Sequence, residues 1–140
     1  MNDAQAALVS TLRTFGADDL RDVWVFDRTG ERALFLRDDV AAKLADVAVE
    51  PFIDNERYGF ITRDTYDRLY YASYHFTVRG FDEFEQVRTF VVDEPDKIGV
   101  LASFDRRDGG HDYAELDRLI HDLADEHGGA SLGPDAGGSA

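Results

Sequence analysis

The chain predicts an α+β fold: one mainly antiparallel sheet of about five strands with flanking N- and C-terminal helices, in the order α-β-β-α-β-β-β-α. Three observations carry this. Runs rich in Val, Phe and Tyr come in pairs joined by short turn sequences, VWVF with ALFL and YYASYHFTVRGF with FEQVRTFVV. Both ends of the chain have apolar residues at helical spacing. At 140 residues the chain is one domain's worth, long enough to bury roughly 68–70% of its extended surface in a core.

Residues 3–15 place Ala4, Ala7, Leu8, Leu12 and Phe15 on one helical face, with Asp3 as the expected N-cap and Gly16 as the stop. VWVF (23–26) reads as a buried strand, DRTG (27–30) as a turn whose glycine tolerates positive φ, and ALFL (33–36) as the returning strand. Asp38 or Asp39 then caps a helix with Val40, Leu44 and Val47 inward. VEPFIDNERYGF (49–60) shows neither strand alternation nor a full helical stripe. It reads as a connector: Pro51 starts a helical turn, Phe52 and Ile53 pack down, residues 54–57 are exposed, and Tyr58 and Phe60 return to the core. Thr62 begins a second short helix bearing Tyr66 and Leu69.

Residues 70–81 alternate, with Tyr70, Ala72, Tyr74, Phe76 and Val78 on one face and Tyr71, Ser73, His75, Thr77 and Arg79 on the other. The chain turns at GFDE (80–83), returns through 84–92, turns at EPDK (94–97) and forms a last strand, IGVLASF (98–104). Residues 111–127 make the final helix, with Tyr113, Leu116, Leu119, Ile120 and Leu123 inward. The domain is expected to span 1–127, and the Gly/Ala/Ser-rich segment 128–140 to be a disordered tail.

This element order, across roughly residues 3–127, resembles the profilin-like folds, which include roadblock/longin and PAS-type modules. VRGFDEFEQVRTFVV following NERYGF is similar to small haloarchaeal proteins catalogued as a domain of unknown function. The roadblock-like resemblance implies self-association through a helix or an edge strand. The PAS-like one implies a small-molecule pocket beside the crossover.

Composition narrows the function classes. There are no cysteines, so thiolate nucleophiles, disulfides and cysteine metal sites are excluded. Twenty-nine acids against fifteen bases give a net charge of −14 and a pI near 4.4. Twenty-one of the acids are Asp, and only two bases are Lys. The acids are spread over the whole chain, so the surface repels itself unless salt screens it. Such a surface fits a salt-in halophile, most simply haloarchaeal; an acidic mesophilic protein is the alternative. A field of this sign opposes nucleic-acid binding. No apolar run approaches the ~20 residues of a membrane span, and the N-terminus lacks a secretory leader, so a cytoplasmic location is expected.

Motifs for chemistry are sparse. No serine sits in a G-x-S-x-G elbow, and Ser73 with His75 reads as two polar neighbours on a strand. On the last helix His111/Glu115, Asp117/His121 and His121/Asp125 are four residues apart. That spacing suits ligands, but in so acidic a chain it describes a solvated face. Neither a calcium-binding loop nor a phosphate cradle occurs, so no metal and no cofactor is expected, and the reading leans against an enzyme.

More distinctive are nine aromatic residues from Tyr58 to Phe84, in a stretch interleaved with Arg57, Arg63, Arg68, Arg79 and Arg88. Tyrosine with arginine is a recognition composition; otherwise most of these rings are core. In sensor-like relatives the crossover borders the pocket, which singles out Arg57 and Tyr58. Tyr71 and Arg79 join them from the polar face of their expected strand. The favoured function is a non-enzymatic protein-interaction or scaffold module that binds itself or another protein; the alternative is a PAS-like sensor of a small molecule.

Overall fold

The structure is a computed structural model describing residues 1–92 and 97–136. Its elements are α1 (Asp3–Gly16), β1 (Leu20–Phe26), β2 (Glu31–Leu36), α2 (Asp38–Leu44), α3 (Glu50–Tyr66), β3 (Phe76–Gly80), β4 (Phe84–Val92), β5 (Ile98–Asp105) and α4 (Tyr113–His127). The expected order holds. Five strands form one sheet in the order β2-β1-β5-β4-β3, and each neighbouring pair is antiparallel.

Strand alternation sends side chains to two cores. Val23, Val25, Val87, Val100, Ala102 and Phe104 meet Leu8 and Leu12 of α1 and Leu116 and Ile120 of α4. Phe26, Phe90 and Leu101 meet Ile53 and Phe60 of α3 on the opposite face. VWVF is apolar throughout because β1 has a covered face on either side.

Local chemistry departs from expectation in several places. Asn2, not Asp3, caps α1: its side chain accepts from Gln5 N at 2.8 Å while Gln5 Oε1 accepts from Asn2 N at 3.2 Å. The β1–β2 turn is held by Asp27 Oδ1, which accepts from the amides of Thr29 and Gly30 at 2.9 and 2.7 Å. Gly30 is not left-handed; the glycines with positive φ among the described residues are Gly109, Gly110 and Gly128. Neither Asp38 nor Asp39 caps α2, whose N-cap is Arg37. The Asp39 carboxylate turns back to that guanidinium, whose hydrogen bonds lower its pKa to about 2. Helix α2 ends at Leu44, which leaves Val47 beyond it and exposed.

Three larger differences bear on function. Residues 50–66 are one continuous helix rather than a connector and a short helix. Strand β3 begins only at Phe76, so 70–75 is not a strand. There the side chain of Thr89 reaches the His75 carbonyl (3.2 Å), and Tyr74 turns toward Arg88 (3.1 Å), where ladder bonds were expected. Residues 129–134 are also packed: Gly129–Leu132 is a 3₁₀ turn and Leu132 is fully buried. Ser131 O and Gly133 O accept from Asn2 Nδ2 and Gln5 Nε2 at 2.8 and 2.9 Å. One leucine anchors the segment because α1 offers side-chain donors to its carbonyls. The turn expected at EPDK lies, except for Lys97, outside the described residues.

Candidate interaction surface

The obscure pattern of VEPFIDNERYGF has a physical cause. Pro51 lies in the first turn of α3, where its missing N–H is harmless. The helix then runs through Thr62 and Thr65, whose hydroxyls bond the carbonyls of Tyr58 and Ile61. Its buried positions are Ile53, Glu56, Gly59 and Phe60, a helical spacing half filled by a charge and a glycine. Hydropathy cannot show such a stripe.

Glu56 is 3% exposed, against the expectation that 54–57 face water. Its two carboxylate oxygens accept from Arg79 Nη1 at 2.8 Å and Arg88 Nη1 at 3.1 Å. Arg88 continues to the Tyr74 hydroxyl and Thr77 Oγ1 at 3.1 and 3.2 Å. Gly59 makes room for this: a Cβ there would lie 2.5 Å from Arg88 Cζ. A buried carboxylate between two guanidiniums ties α3 to β3 and β4, since removing either sign would strand the other in low dielectric.

Arg57 is likewise internal, its side chain only 14% exposed. It donates to Asp27 O at 2.8 Å, Gly30 O at 2.9 Å and Asp54 Oδ1 at 2.5 Å, and pairs with Glu31 at 3.4 Å. It therefore clamps α3 onto the β1–β2 turn. The four residues singled out from sequence divide accordingly. Arg57 and Arg79 are held by internal partners, whereas Tyr58 and Tyr71 are exposed. Tyr58 does not return to the core, because helical geometry puts it opposite Glu56 and Phe60.

The exposed positions of α3 carry large apolar side chains among polar ones, Asp54, Asn55, Thr62, Asp64 and Thr65. Phe52, Tyr58 and Ile61 are each more than 60% exposed, and Tyr66 is half exposed. Leu69, Tyr70 and Tyr71 extend the same character past the helix end, and the Tyr66 ring stacks on Tyr74 at 5.9 Å. Phe52, expected to pack down with Ile53, is instead exposed, and Ile61 was not singled out from the sequence. No residue type marks them; only the continuity of the helix puts them on the surface.

An antiparallel sheet covered by terminal helices on one face and a crossover helix on the other is an α+β arrangement of the profilin-like kind. The chain belongs to a family described as a domain of unknown function (DUF7522), whose model matches residues 6–125. Among solved structures it is similar in fold to Myxococcus xanthus MglB, with 11% identity and a TM-score of 0.55 over 90% of this chain and 88% of that one. No curated protein matches the sequence.

Proposed function

We infer that this protein is a non-enzymatic interaction or scaffold module that associates with a second copy of itself through the outer face of α3 and the adjoining edge strand β3. The carrying observation is the exposure of Tyr58 and Ile61, neighbours three residues apart on α3, with Phe52 and Tyr66 also exposed on the same helix. Large apolar side chains grouped on one helix of a molecule with a net charge of −14 are the kind of patch that binding surfaces use. Strand β3 lies at the end of the sheet, so its outer backbone groups are available to a strand from a partner. Tyr58 and Tyr71 serve as contacts on this reading, and Arg57 and Arg79 hold the helix that presents them. The dispersed acidity and scarce lysine support a salt-rich cytoplasm as the setting.

The sensor reading placed its pocket beside Arg57 and Tyr58. Arg57 is instead filled with internal partners, which favours the interaction module. Sedimentation velocity in 3 M KCl tests the proposal with Ile61→Asp, a change on an exposed position that spares the core. Wild type should sediment as a dimer and Ile61→Asp should weaken association by about tenfold or more, the scale of an interface hot spot. A monomeric wild type, or an unaltered variant, would refute it.

A further inference from the structure

The two faces of the sheet are held in different ways. On one, α1 and α4 bury Leu8, Leu12, Leu116, Ile120 and Leu123 in a single apolar cluster. On the other, α3 buries two large apolar side chains, Ile53 and Phe60, over Phe26, Phe90 and Leu101. Its remaining buried positions are Glu56 and Gly59. What else fixes α3 is polar and lies at three points along the helix. Glu56 sits between Arg79 and Arg88, Arg57 donates to the carbonyls of Asp27 and Gly30, and Asp64 accepts from Lys97 Nζ at 2.5 Å. Lys97 is itself buried, with its ammonium 5.9 Å from the centre of the Phe60 ring.

The two kinds of attachment respond differently to separation. Lifting an apolar side chain out of its core forfeits the burial outright. Lifting a carboxylate away from a guanidinium or an ammonium returns both ions to water, and hydration replaces most of what the pair supplied. That differs from deleting one partner, which strands the other inside. The ionic contacts therefore fix where α3 sits but add little to the work of lifting it. Its flanks add little more. Helix α2 buries only Val40, and the connectors on either side of α3, residues 45–48 and 67–73, are exposed throughout.

We propose that α3 is a lid, which opens from the sheet as a unit on its two exposed connectors while the sheet, α1 and α4 stay folded. Few apolar contacts and exposed flanks are the conditions under which one part of a domain opens ahead of the rest. Opening uncovers the aromatic floor of Phe26 and Phe90 and parts Arg79, Arg88 and Lys97 from the carboxylates of Glu56 and Asp64. The closed form thus keeps an apolar surface and three cations out of sight. The lid is argued without the self-association reading, although a second copy docked on α3 would hold it shut.

Amide hydrogen exchange of the whole chain, read residue by residue by nuclear magnetic resonance in 3 M KCl, tests it. The measurement is made in Ile61→Asp, an exposed substitution, so that association through α3 does not mask the motion. Amides 56–60 of α3 should be protected about tenfold less, or lower still, than amides 118–123 of α4. In urea below the unfolding transition they should also respond with a smaller slope, because lifting a lid exposes less surface than unfolding. Adding Ile120→Val separates local from global opening. It weakens a core that stays folded when the lid lifts, so α4 exchange should quicken by about two- to tenfold, the usual effect of that truncation, and α3 exchange should not change. Protection of α3 equal to or above that of α4, equal urea slopes, or an Ile120→Val acceleration shared by α3 would each show that α3 leaves only when the whole domain unfolds, and would overturn the proposal.

Discussion

Leu132→Ala probes the packed C-terminal segment. Leu132 has no exposed surface and sits in the core with Ile98, Leu123 and Ala4. Truncation to alanine removes three carbons, worth roughly 2.4 kcal/mol at ~0.8 kcal/mol per buried methylene. Adding the residual cavity puts the loss at about 2–5 kcal/mol, a large share of the ~5–15 kcal/mol that stabilises a typical domain. The point substitution is cleaner than deleting the segment, because deletion also releases the ~1–2 kcal/mol of backbone entropy held in each ordered residue. Urea denaturation in 3 M KCl is the assay, since urea leaves the ionic strength unchanged. The midpoint should fall with m unchanged, and Asp135→Ala, on the exposed side of the segment, should stay within about 0.5 kcal/mol of wild type. A Leu132→Ala loss below about 0.5 kcal/mol would mean that the segment does not pack and that the domain ends at His127.

Glu56→Ala should destabilise by about 3–5 kcal/mol, because it leaves the Arg88 guanidinium buried without a counter-charge; a urea midpoint equal to wild type would show that the network carries no such weight. The melting temperature should be higher in 3 M than in 0.2 M KCl, as screening relieves the repulsion of a −14 surface. Equal values would remove the support for a halophilic setting.

Much of the architecture was legible because it is written in side-chain periodicity. The β1–β2 pair and the stripe Leu116, Ile120 and Leu123 of α4 consist of apolar residues at the spacing their element requires. The candidate sites were far less legible. Glu56 and Arg57 look like solvated charges in sequence, and both are drawn inward by partners about 23 to 32 positions away. Tyr70, Ala72 and Tyr74 alternate as a strand should, yet Thr89 and Arg88 hold their segment out of the ladder with side-chain bonds. Asp117 lies on the flank of the buried stripe of α4, and Thr89 on the facing strand gives its carboxylate a partner there.

Local sequence alone determined the element order, the antiparallel pairing of adjacent strands and the dispersed negative field, since each depends on neighbours a few residues apart or on composition. Tertiary structure decided that 50–66 is one helix, that Tyr58 and Ile61 lie on its exposed side, that Leu132 is buried in the core, and that Glu56 and Asp117 are buried. These outcomes turn on which charged and polar groups find partners across the fold. A carboxylate is a surface residue until a guanidinium or hydroxyl from a distant strand meets it, and hydropathy does not encode that meeting.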